Sequence, residues 1–457
     1  MRRAAKNVQH TITIPGEKIS DAELGNLKDV SHAGSLHEYL MRLHKKYGPI
    51  ASFYWGKQYV VSLASIESWH ATMRLFDRPV LLFSLFMPII GENSIQYTNG
   101  PIGKQRRKDY YDAALSKASV RNSYWVFEHV LREKLKQWNN ERYGTQQKPL
   151  PVHQEMISLA ISSISLQAFG LLLLSDSQNN IQHAYQICWN DIEERIKGSF
   201  PEQGSEREKE FNKSLDYLHS KVDEMINKKR NGDNELTNSC FLDYLMNSGN
   251  ITEEQIRSEV ITMLVGGFHT TGNLLTWTLY YLAKHSDIQE RVYRELIDVL
   301  GLEIPYPSFE QVDQLPYLSC VINESLRLPV LAPWAARISS NDELVCGYTI
   351  PANTPMIQAL GVVLSDEKIW NKPNEFNPDR FLNRKSTLAF SPFGFAGKRI
   401  CPGYRFATYE TSIIVGGIIK AYQIRLADPD QTVVPVHGLV TSPNEEIFLC
   451  LEQRVEK

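Results

Sequence analysis

A single cysteine lies in a glycine-rich stretch, just before a segment that favours a helix. The stretch reads FSPFGFAGKRICPGYRFATYE, and it places Cys401 between Gly397 and Gly403. Pro402 suits the first position of a helix, so we expect Cys401 to be the N-cap residue of that helix. The helix dipole and the free backbone N–H groups would then lower the pKa of the thiol and favour the thiolate.

A thiolate in such a place has a specific use. Glycines allow a flat, bulky group to approach the backbone closely, and a cysteine thiolate is one of the ligands that hold haem iron. The stretch therefore predicts a haem site in which Cys401 is the ligand of the metal. A buried cysteine in a glycine-rich turn is the alternative that this stretch alone leaves open.

Three charged residues before the cysteine could form a network. ESLR places Glu324 and Arg327 three residues apart on one helix face, where they can pair. FNPDRF places Arg380 in an irregular segment between that helix and Cys401. The pair alone is weak support, because such pairs also arise on solvent-exposed helices. We predict a buried Glu–Arg–Arg network, in which loss of one partner typically costs about 3–5 kcal/mol.

A stretch that should destabilise an apolar helix contains further candidate functional residues. The run IRSEVITMLVGGFHTTGNLLTWTLYYLAKH has the pattern of one long helix, and VGGFHTTGN lies in its middle. Each glycine inside a helix costs roughly 0.5–1 kcal/mol relative to alanine. His269 and Thr270 add polar groups to a face that should be buried. Local weakening of this kind indicates a functional stretch.

Composition and charge narrow the classes of protein. The chain has 457 residues, of which 42% are hydrophobic and 22% are charged, as in ordinary globular proteins. The net charge of -3 argues against a nucleic-acid binder. The six cysteines form no CxxC pair, which argues against a zinc site and agrees with free thiols in a reducing compartment.

The elements around these residues predict a mainly α protein with a smaller β region, an α+β class. YGPIASFYWGKQYVVSLAS alternates apolar and polar residues, which indicates a strand pair with a turn at Gly56–Lys57. From about residue 122 to 300 the pattern is helical, and Thr252 with Gln255 has the form of a helix start. After Leu328 short β-like pieces and an irregular segment precede a last helix.

The start of the chain shows neither a signal peptide nor a membrane span in MRRAAKNVQHTITIPG. The best internal candidate for a span is MISLAISSISLQAFGLLLLS, residues 156–175. Its serines, Gln167 and Gly170 make it a poor lipid-facing helix, so we predict a buried core helix instead.

Four motifs resemble those of the cytochromes P-450, the haem-thiolate monooxygenases. ESLR is similar to the ExxR helix of the family, NPDRF to its PERF element, FGFAGKRICPG to its cysteine loop and GGFHTT to its distal-helix motif. They occur in the order of the family, so the resemblance covers nearly the whole chain. GSLHEYLMRLHKKYGPIASFYWGKQYVVSL and QALGVVLSD resemble the animal branch called family 20. The resemblance implies one large haem-binding catalytic domain at 36–457, after an N-terminal segment, 1–35, that lacks a membrane anchor.

The resemblance also implies roles for single residues. Cys401 would be the proximal thiolate ligand of haem b, and Arg399 and Arg337 would contact the haem propionates. The glycine pair would let the distal helix pass close over the haem and leave room for oxygen. Glu324, Arg327 and Arg380 would be structural. Other residues expected to contact the cofactor are Gly267, Phe393 and Gly403.

The sequence departs from the family pattern in three places. The cysteine loop has one extra residue, as though Phe395 or Ala396 were inserted, which puts the environment of the sulfur in doubt. GKQRRKDYY lacks the usual tryptophan. The cation that binds a propionate could come from Lys104, Arg106, Arg107 or Lys108, and the alternative is that these residues form only a solvated basic face. His269 stands where the family has an acid.

The activity implied is insertion of one oxygen atom from O2 into an apolar, lipid- or sterol-like substrate. Electrons would come from NADPH through a reductase. The location implied is a membrane surface, the cytosolic face of the endoplasmic reticulum. We expect Thr270 to position the proton donor to bound oxygen, the alternative being a bond to the preceding helical turn. His269 would relay protons, or else only pack as a polar group.

Two other functions stay open. One is an enzyme that rearranges hydroperoxides or endoperoxides and needs no reductase. The other is a protein without catalytic activity, either a haem-binding protein, which the altered cysteine loop suggests, or a haem-free scaffold.

Overall fold

The computed structural model describes residues 13–145, 148–171, 175–232, 240–249, 251–382, 388–394 and 397–454. The α-helices are α1 (Leu27–Ala33), α2 (Leu36–Tyr47), α3 (Ile66–Thr72), α4 (Val80–Phe83), α5 (Met87–Ile90), α6 (Gly100–Arg106), α7 (Lys117–Asn122), α8 (Tyr124–Glu141), α9 (Val152–Phe169), α10 (Ser175–Ile196), α11 (Glu206–Arg230), α12 (Phe241–Met246), α13 (Glu253–Lys284), α14 (Ser286–Leu300), α15 (Phe309–Val312), α16 (Pro316–Arg327), α17 (Leu360–Leu364) and α18 (Tyr404–Ala421). The predicted mainly α class is confirmed.

The smaller β region consists of short strands. They are β1 (Ile50–Trp55), β2 (Gln58–Leu63), β3 (Leu150–Pro151), β4 (Ala335–Arg337), β5 (Glu343–Val345), β6 (Tyr348–Ile350), β7 (Met356–Gln358), β8 (Tyr422–Leu426), β9 (Pro435–Val436), β10 (Ser442–Pro443) and β11 (Phe448–Gln453). In the described part of the chain they form sheets of order β1-β2-β7-β4, β3-β11-β8, β5-β6 and β10-β9. The predicted strand pair is confirmed, because β1 and β2 are antiparallel around Gly56–Lys57.

Helix α13 is the centre of the fold. Its predicted start is confirmed: Thr252 Oγ1 accepts from the Gln255 backbone N–H at 3.3 Å, and Gln255 Oε1 accepts from the Thr252 N–H at 3.1 Å. The helix packs against α9, α16 and α18. A Cβ added to Gly272 would lie 2.6 Å from Ile157 of α9, so this glycine permits the close approach of the two helices.

The predicted core helix at 156–175 is buried, but it is shorter than the apolar run. Helix α9 ends at Phe169, and Gly170 takes a left-handed conformation with φ 72°. The residues from Leu172 to Leu174 lie outside the described residues, and α10 begins at Ser175. Among the helices that the structure describes, none combines the length and the apolar character that crossing a membrane requires.

The described residues before the boundary predicted at residue 35 pack on the rest of the fold. The Ser52 N–H of β1 donates to the Pro15 carbonyl at 2.8 Å, so the segment around Pro15 lies next to β1. Leu27 and Val30 of α1 belong to the main hydrophobic core. The described residues before 36 are therefore part of the same folded unit, because they bury apolar side chains in it.

Candidate active site around Cys401

The loop that carries Cys401 does not end in the predicted helix cap. Helix α18 begins at Tyr404 and its N-cap is Gly403, two residues after the cysteine. The Cys401 N–H donates instead to the Phe393 carbonyl at 2.9 Å, which ties the cysteine to the start of its own loop. The prediction that Cys401 caps the helix is wrong for this reason.

The sulfur lies in a desolvated place. Burial raises the pKa of the Cys401 thiol, and it outweighs the opposite effects of the Gly403 backbone N–H and of the Arg107 and Arg78 charges. The expected lowering of the pKa is therefore wrong for the polypeptide alone. A metal ion deprotonates a thiol that binds it, so ligation to haem iron would supply the stabilisation that the polypeptide alone lacks.

Phe393, one of the residues predicted to contact the cofactor, lies at the start of this loop. Phe393 is partly exposed, and its ring centroid lies 6.2 Å from that of Tyr404. Gly394 follows with φ 85°, a left-handed conformation that favours glycine. The predicted extra residue, Phe395 or Ala396, lies outside the described residues.

Guanidinium groups hold the loop at two carbonyls. Arg337 and Arg399, both predicted, are buried, and Arg337 Nη2 donates to the Arg399 carbonyl at 3.5 Å. Arg107 Nη2 donates to the Ile400 carbonyl at 2.8 Å. Strand β4 supplies Arg337, and hydrogen bonding to β7 fixes its position next to the loop. Two distant segments therefore bring cations to the residues that precede Cys401, next to Arg399 of the loop itself.

Positive charge accumulates here beyond what the protein neutralises. Burial, with the charges of Arg78, Arg337 and Arg107, lowers the pKa of Arg399 to about 8, although Asp77 opposes this. Burial and Arg78 lower the pKa of Arg337 to about 9. Buried charges of one sign destabilise a fold unless a counter-charge pairs with them.

The same arginines have donors without acceptors. Nη1 of Arg399, Nε of Arg337 and Nε of Arg78 are buried and bond to no acceptor in the described part of the chain. A ligand with carboxylates would pair with these donors and neutralise the charge. Haem carries two propionates, so the residues present fit this cofactor.

A π-helical segment distinguishes Arg107 from its basic neighbours. Helix α6 ends at Arg106, and the π-helical segment Arg107–Asp112 follows at once. Arg106 pairs with Glu259 of α13, whereas Arg107 turns to the cysteine loop. The two lysines of GKQRRKDYY are exposed. The cation among the four candidates that reaches the loop is therefore Arg107, and the lysines form a solvated face.

Sequence reasoning missed Arg78. Asn99 Nδ2 donates to the Arg78 carbonyl at 2.9 Å, and the Ile338 N–H, next to Arg337, donates to the Asp77 carbonyl at 3.0 Å. These bonds place the Arg78 side chain beside the other cations. The segment FDRPV has no spacing relation to Cys401, so only the tertiary contacts reveal this residue.

One short face of α13 is open, although the helix is otherwise largely buried. Gly266 is exposed, and apart from its own helix no heavy atom lies within 4 Å of an added Cβ. Thr270 is partly exposed, and its Oγ1 donates to the Gly266 carbonyl at 2.8 Å. The bond to the preceding turn is thus present, and the hydroxyl oxygen keeps lone pairs that can accept another hydrogen bond.

Gly267 packs against α9. An added Cβ would lie 2.4 Å from Ile164 of α9, so the glycine is required by the packing of α13 on α9. The glycine that faces open space is Gly266. A contact of Gly267 with the cofactor stays a prediction, and it concerns the backbone, because the Cβ direction points to α9.

His269 is buried between α13 and α10. Its Nδ1 lies 3.3 Å from the Tyr185 hydroxyl, and its ring meets that of Trp189 edge to face at 4.8 Å. Burial, with a smaller effect of His153, lowers the pKa of His269 to about 3. The imidazole is therefore neutral near pH 7, and these contacts are those of a packed polar residue.

A pocket of about 350 Å³ opens beside His269. Helix α10, the segment before α2 and the turn between β9 and β10 form its walls. The turn is tied to α10, because Glu193 Oε1 accepts from the Leu439 N–H at 2.6 Å. The side chains used below are Trp189, Glu193, His269, Trp334, His437 and Val440.

The structure brings Glu324, Arg327 and Arg380 together as a buried network. Glu324 Oε1 and Oε2 each accept from Arg327 at 2.8 Å, and Oε1 also accepts from Arg380 Nε at 2.9 Å. The Asn377 N–H donates to the same carboxylate at 3.0 Å. Arg327 donates further to the carbonyls of Leu364 and Pro373. The network fixes the irregular segment that leads to Cys401.

A haem protein of the thiolate class needs the features that meet here: a cysteine in a partly buried loop, arginines with buried donors that lack acceptors, and a core helix with an open face. The family model "Cytochrome P450" matches residues 15–451. Cytochrome P450 20A1 of Mus musculus is 30% identical over 448 residues, which cover 96% of this chain and 93% of the relative. The human protein of that name is 28% identical over 446 residues, with the same coverage. A 3-ketosteroid oxygenase of Caenorhabditis elegans is 33% identical over 215 residues, 44% of this chain and 37% of the relative.

The chain belongs to the cytochrome P450 family. It is accordingly an oxidoreductase of the monooxygenase type that uses haem iron with a thiolate ligand.

Replacing Arg399 by leucine is expected to weaken haem binding by about 10–100-fold, since a hydrogen bond to a charged group contributes about 1.5–3 kcal/mol. The haem-free chain should not lose stability, because one of several mutually repelling buried charges is removed. The measurement is the rate at which haem passes to excess apomyoglobin, together with the urea midpoint of the haem-free protein. Lys108→Ala, on the exposed side of the same basic segment as Arg107, is the matched control. Unchanged haem loss from the Arg399 variant would contradict the assignment.

Proposed function

We propose that this protein inserts one oxygen atom from O2 into an apolar, lipid- or sterol-like substrate, with electrons that come from NADPH through a reductase. Haem iron supplies the activation of O2 when it is bound. The observation that carries the proposal is the set of unpaired donors on Arg78, Arg337 and Arg399 beside the Cys401 loop. Action at the cytosolic face of the endoplasmic reticulum is part of the proposal, and it is based on the family resemblance alone.

The residues around the haem divide into three tasks. Cys401 ligates the iron, and the raised pKa of its thiol means that the metal, not the helix, holds it as thiolate. Arg337 and Arg399, helped by Arg78 and Arg107, bind the propionates and so orient the haem. The Glu324 network acts through the backbone of the segment that leads to the loop, so its residues are positioning residues.

Thr270 handles a proton on the open face of α13. Its hydroxyl is oriented by the donation to the Gly266 carbonyl, so its lone pairs point away from that bond and can hold a water molecule near the open space. A water held there would be the proton donor. The neutral imidazole of His269, packed on Tyr185 and Trp189, is a wall of the substrate pocket and not a relay.

The pocket beside His269 supports a mainly apolar substrate. Trp189, Trp334 and Val440 supply apolar surface for the body of such a molecule. About half of the lining residues are polar, including Gln186, Asn190, Glu193 and Glu194 of α10, and these groups can orient a polar end. The name of the Caenorhabditis elegans relative, a 3-ketosteroid oxygenase, agrees with a sterol-like class.

The experiment that tests the function has two readouts on the haem-loaded protein. The reduced carbon-monoxide complex should show the absorption band from which the family takes its name. Oxygenated product from a panel of sterols and fatty acids should form only with O2, NADPH and a reductase. Product from hydroperoxides without reductase would instead establish a rearranging enzyme, and a bound haem without any turnover would establish a haem-binding protein.

Replacing Thr270 by valine is expected to uncouple the reaction. NADPH is still consumed, but product per NADPH falls at least tenfold, because a positioned proton-transfer group contributes typically 10²–10⁴-fold. Thr270→Ser keeps the hydroxyl and should retain most coupling. His269→Gln should change coupling less than twofold, because the side chain contacts α10. Coupling lost in the His269 variant and kept in Thr270→Val would reverse the two roles.

A further inference from the structure

A cluster of metal-binding side chains lies where the first turn of α2 meets the turn between β9 and β10. It consists of His37 and Glu38 on the helix and His437 on the turn. One ligand atom from each residue lies within 4.8 Å of those of the other two. The His437 Nε2 and Glu38 Oε1 atoms are 3.8 Å apart, and the two imidazole centroids are 4.4 Å apart. The cluster is separate from Cys401 and its arginines.

The hydrogen bonds of Thr441 determine which nitrogen of His437 is free. Thr441 Oγ1 donates its one hydrogen to the Val330 carbonyl at 2.6 Å. The same oxygen lies 3.1 Å from His437 Nδ1, and having no second hydrogen it must accept one from that nitrogen. In the neutral imidazole the proton is then on Nδ1, and Nε2 carries a lone pair.

That lone pair faces a carboxylate. The His437 Nε2 and Glu38 Oε1 atoms are 3.8 Å apart, which is too far for a hydrogen bond between them. A lone pair on Nε2 and the Glu38 oxygen repel each other, and no hydrogen lies between them. A cation between the two atoms would bind both. The arrangement of an imidazole whose second nitrogen donates to a protein oxygen is the usual one in metal sites.

We propose that His37, Glu38 and His437 bind a divalent cation of the Zn²⁺ class. Two imidazole nitrogens and one carboxylate oxygen are ligands that this class of ion accepts, and three protein ligands leave one position for water. Tetrahedral ligands at 2.0–2.1 Å from zinc lie about 3.3 Å from one another. The ligand atoms of the cluster lie within 4.8 Å of one another, so they need to approach by up to about 1.5 Å. Glu38 is 45% exposed and can move to do so.

The site has a consequence for the pocket beside His269. His437 and the residues that follow it line that pocket, and so do Ser35 and Leu36, which lie just before His37 and Glu38. A cation that joins α2 to the β9–β10 turn therefore fixes two walls of the pocket relative to each other.

The test is a calorimetric titration of ZnCl2 into the haem-loaded protein after chelator treatment. One binding event is expected, and it should weaken at least tenfold in His437→Ala and in Glu38→Gln. Glu38→Gln keeps the volume of an exposed side chain, so its folding is not at risk. His70→Ala, at an exposed histidine of α3, is the matched control and should bind as the original chain does.

A second readout fixes the place of the ion. Anomalous scattering at the zinc edge from crystals grown with ZnCl2 should give a peak between His37, Glu38 and His437. Zinc binding that is equal in Glu38→Gln, His437→Ala and the control would overturn the proposal, as would a peak at the free cysteines only. Neither readout depends on turnover, so a failure here is distinct from a failure of the proposed oxygenation.

Discussion

Replacing Cys401 by serine is expected to abolish the absorption band of the reduced carbon-monoxide complex and to end product formation. A serine hydroxyl does not supply the thiolate that the family places on iron. The arginines proposed to pair with the propionates remain in the variant, so it should still take up some haem, but more weakly than the original chain. The measurement is the difference spectrum of the reduced protein with and without carbon monoxide, normalised to haem content.

The matched control for this variant is Cys346→Ser. Cys346 is also partly exposed, but it lies directly after β5 and has no place in the loop. The control should keep both the band and the turnover. A full band in the Cys401 variant would mean that another group ligates the iron, and the assignment of the site would fail.

Removing the carboxylate of Glu324 is expected to be the most damaging change to stability. Glu324→Ala leaves Arg327 and Arg380 buried without a counter-charge. Removal of one partner of a buried ion pair lowers the free energy of unfolding by about 3–5 kcal/mol. Native proteins have only about 5–15 kcal/mol of stability, so a large share would be lost. The measurement is the free energy of unfolding of the haem-loaded protein in urea, together with the yield of folded chain.

The control for the second prediction is Glu375→Gln, which removes an exposed partner of Lys372. Exposed ion pairs contribute about 0–1 kcal/mol, so this variant should unfold close to the original. Should Glu324→Ala fold too poorly to be measured, Glu324→Gln keeps the shape and one acceptor oxygen, although an NH2 donor replaces the other oxygen. It should show a smaller loss in the same direction. Equal stability of the Glu324 and Glu375 variants would contradict the role of the network.

Local patterns account for what the sequence predicted correctly. The cap at Thr252 depends on two residues that are three positions apart. The β1–β2 pair depends on apolar and polar residues that alternate on both sides of a two-residue turn. The pairing of Glu324 with Arg327 follows from helical spacing. Where a residue makes contacts only along its own segment, its neighbours in sequence are enough to predict it.

What could not be predicted depends on contacts between distant segments. Pro402 alone suggested a cap, but the bond from Cys401 to Phe393 places the start of α18 later. Which glycine of the pair faces open space is decided by Ile164 of α9. Arg78 reaches the site because Asn99 bonds to its carbonyl and Ile338, which follows β4, bonds to the carbonyl of Asp77. None of these relations has a spacing that a single sequence displays.

The four arginines near the Cys401 loop make the lifetime of this chain depend on the supply of its cofactor. Without propionates, Arg78, Arg107, Arg337 and Arg399 repel one another in a desolvated place. A ligand that binds only the folded state stabilises it by about 2.7 kcal/mol at a hundred times its dissociation constant. When a cell is short of haem, newly made chains would open more often and reach proteases sooner. The abundance of the enzyme would thus follow the haem pool even if its synthesis stayed constant.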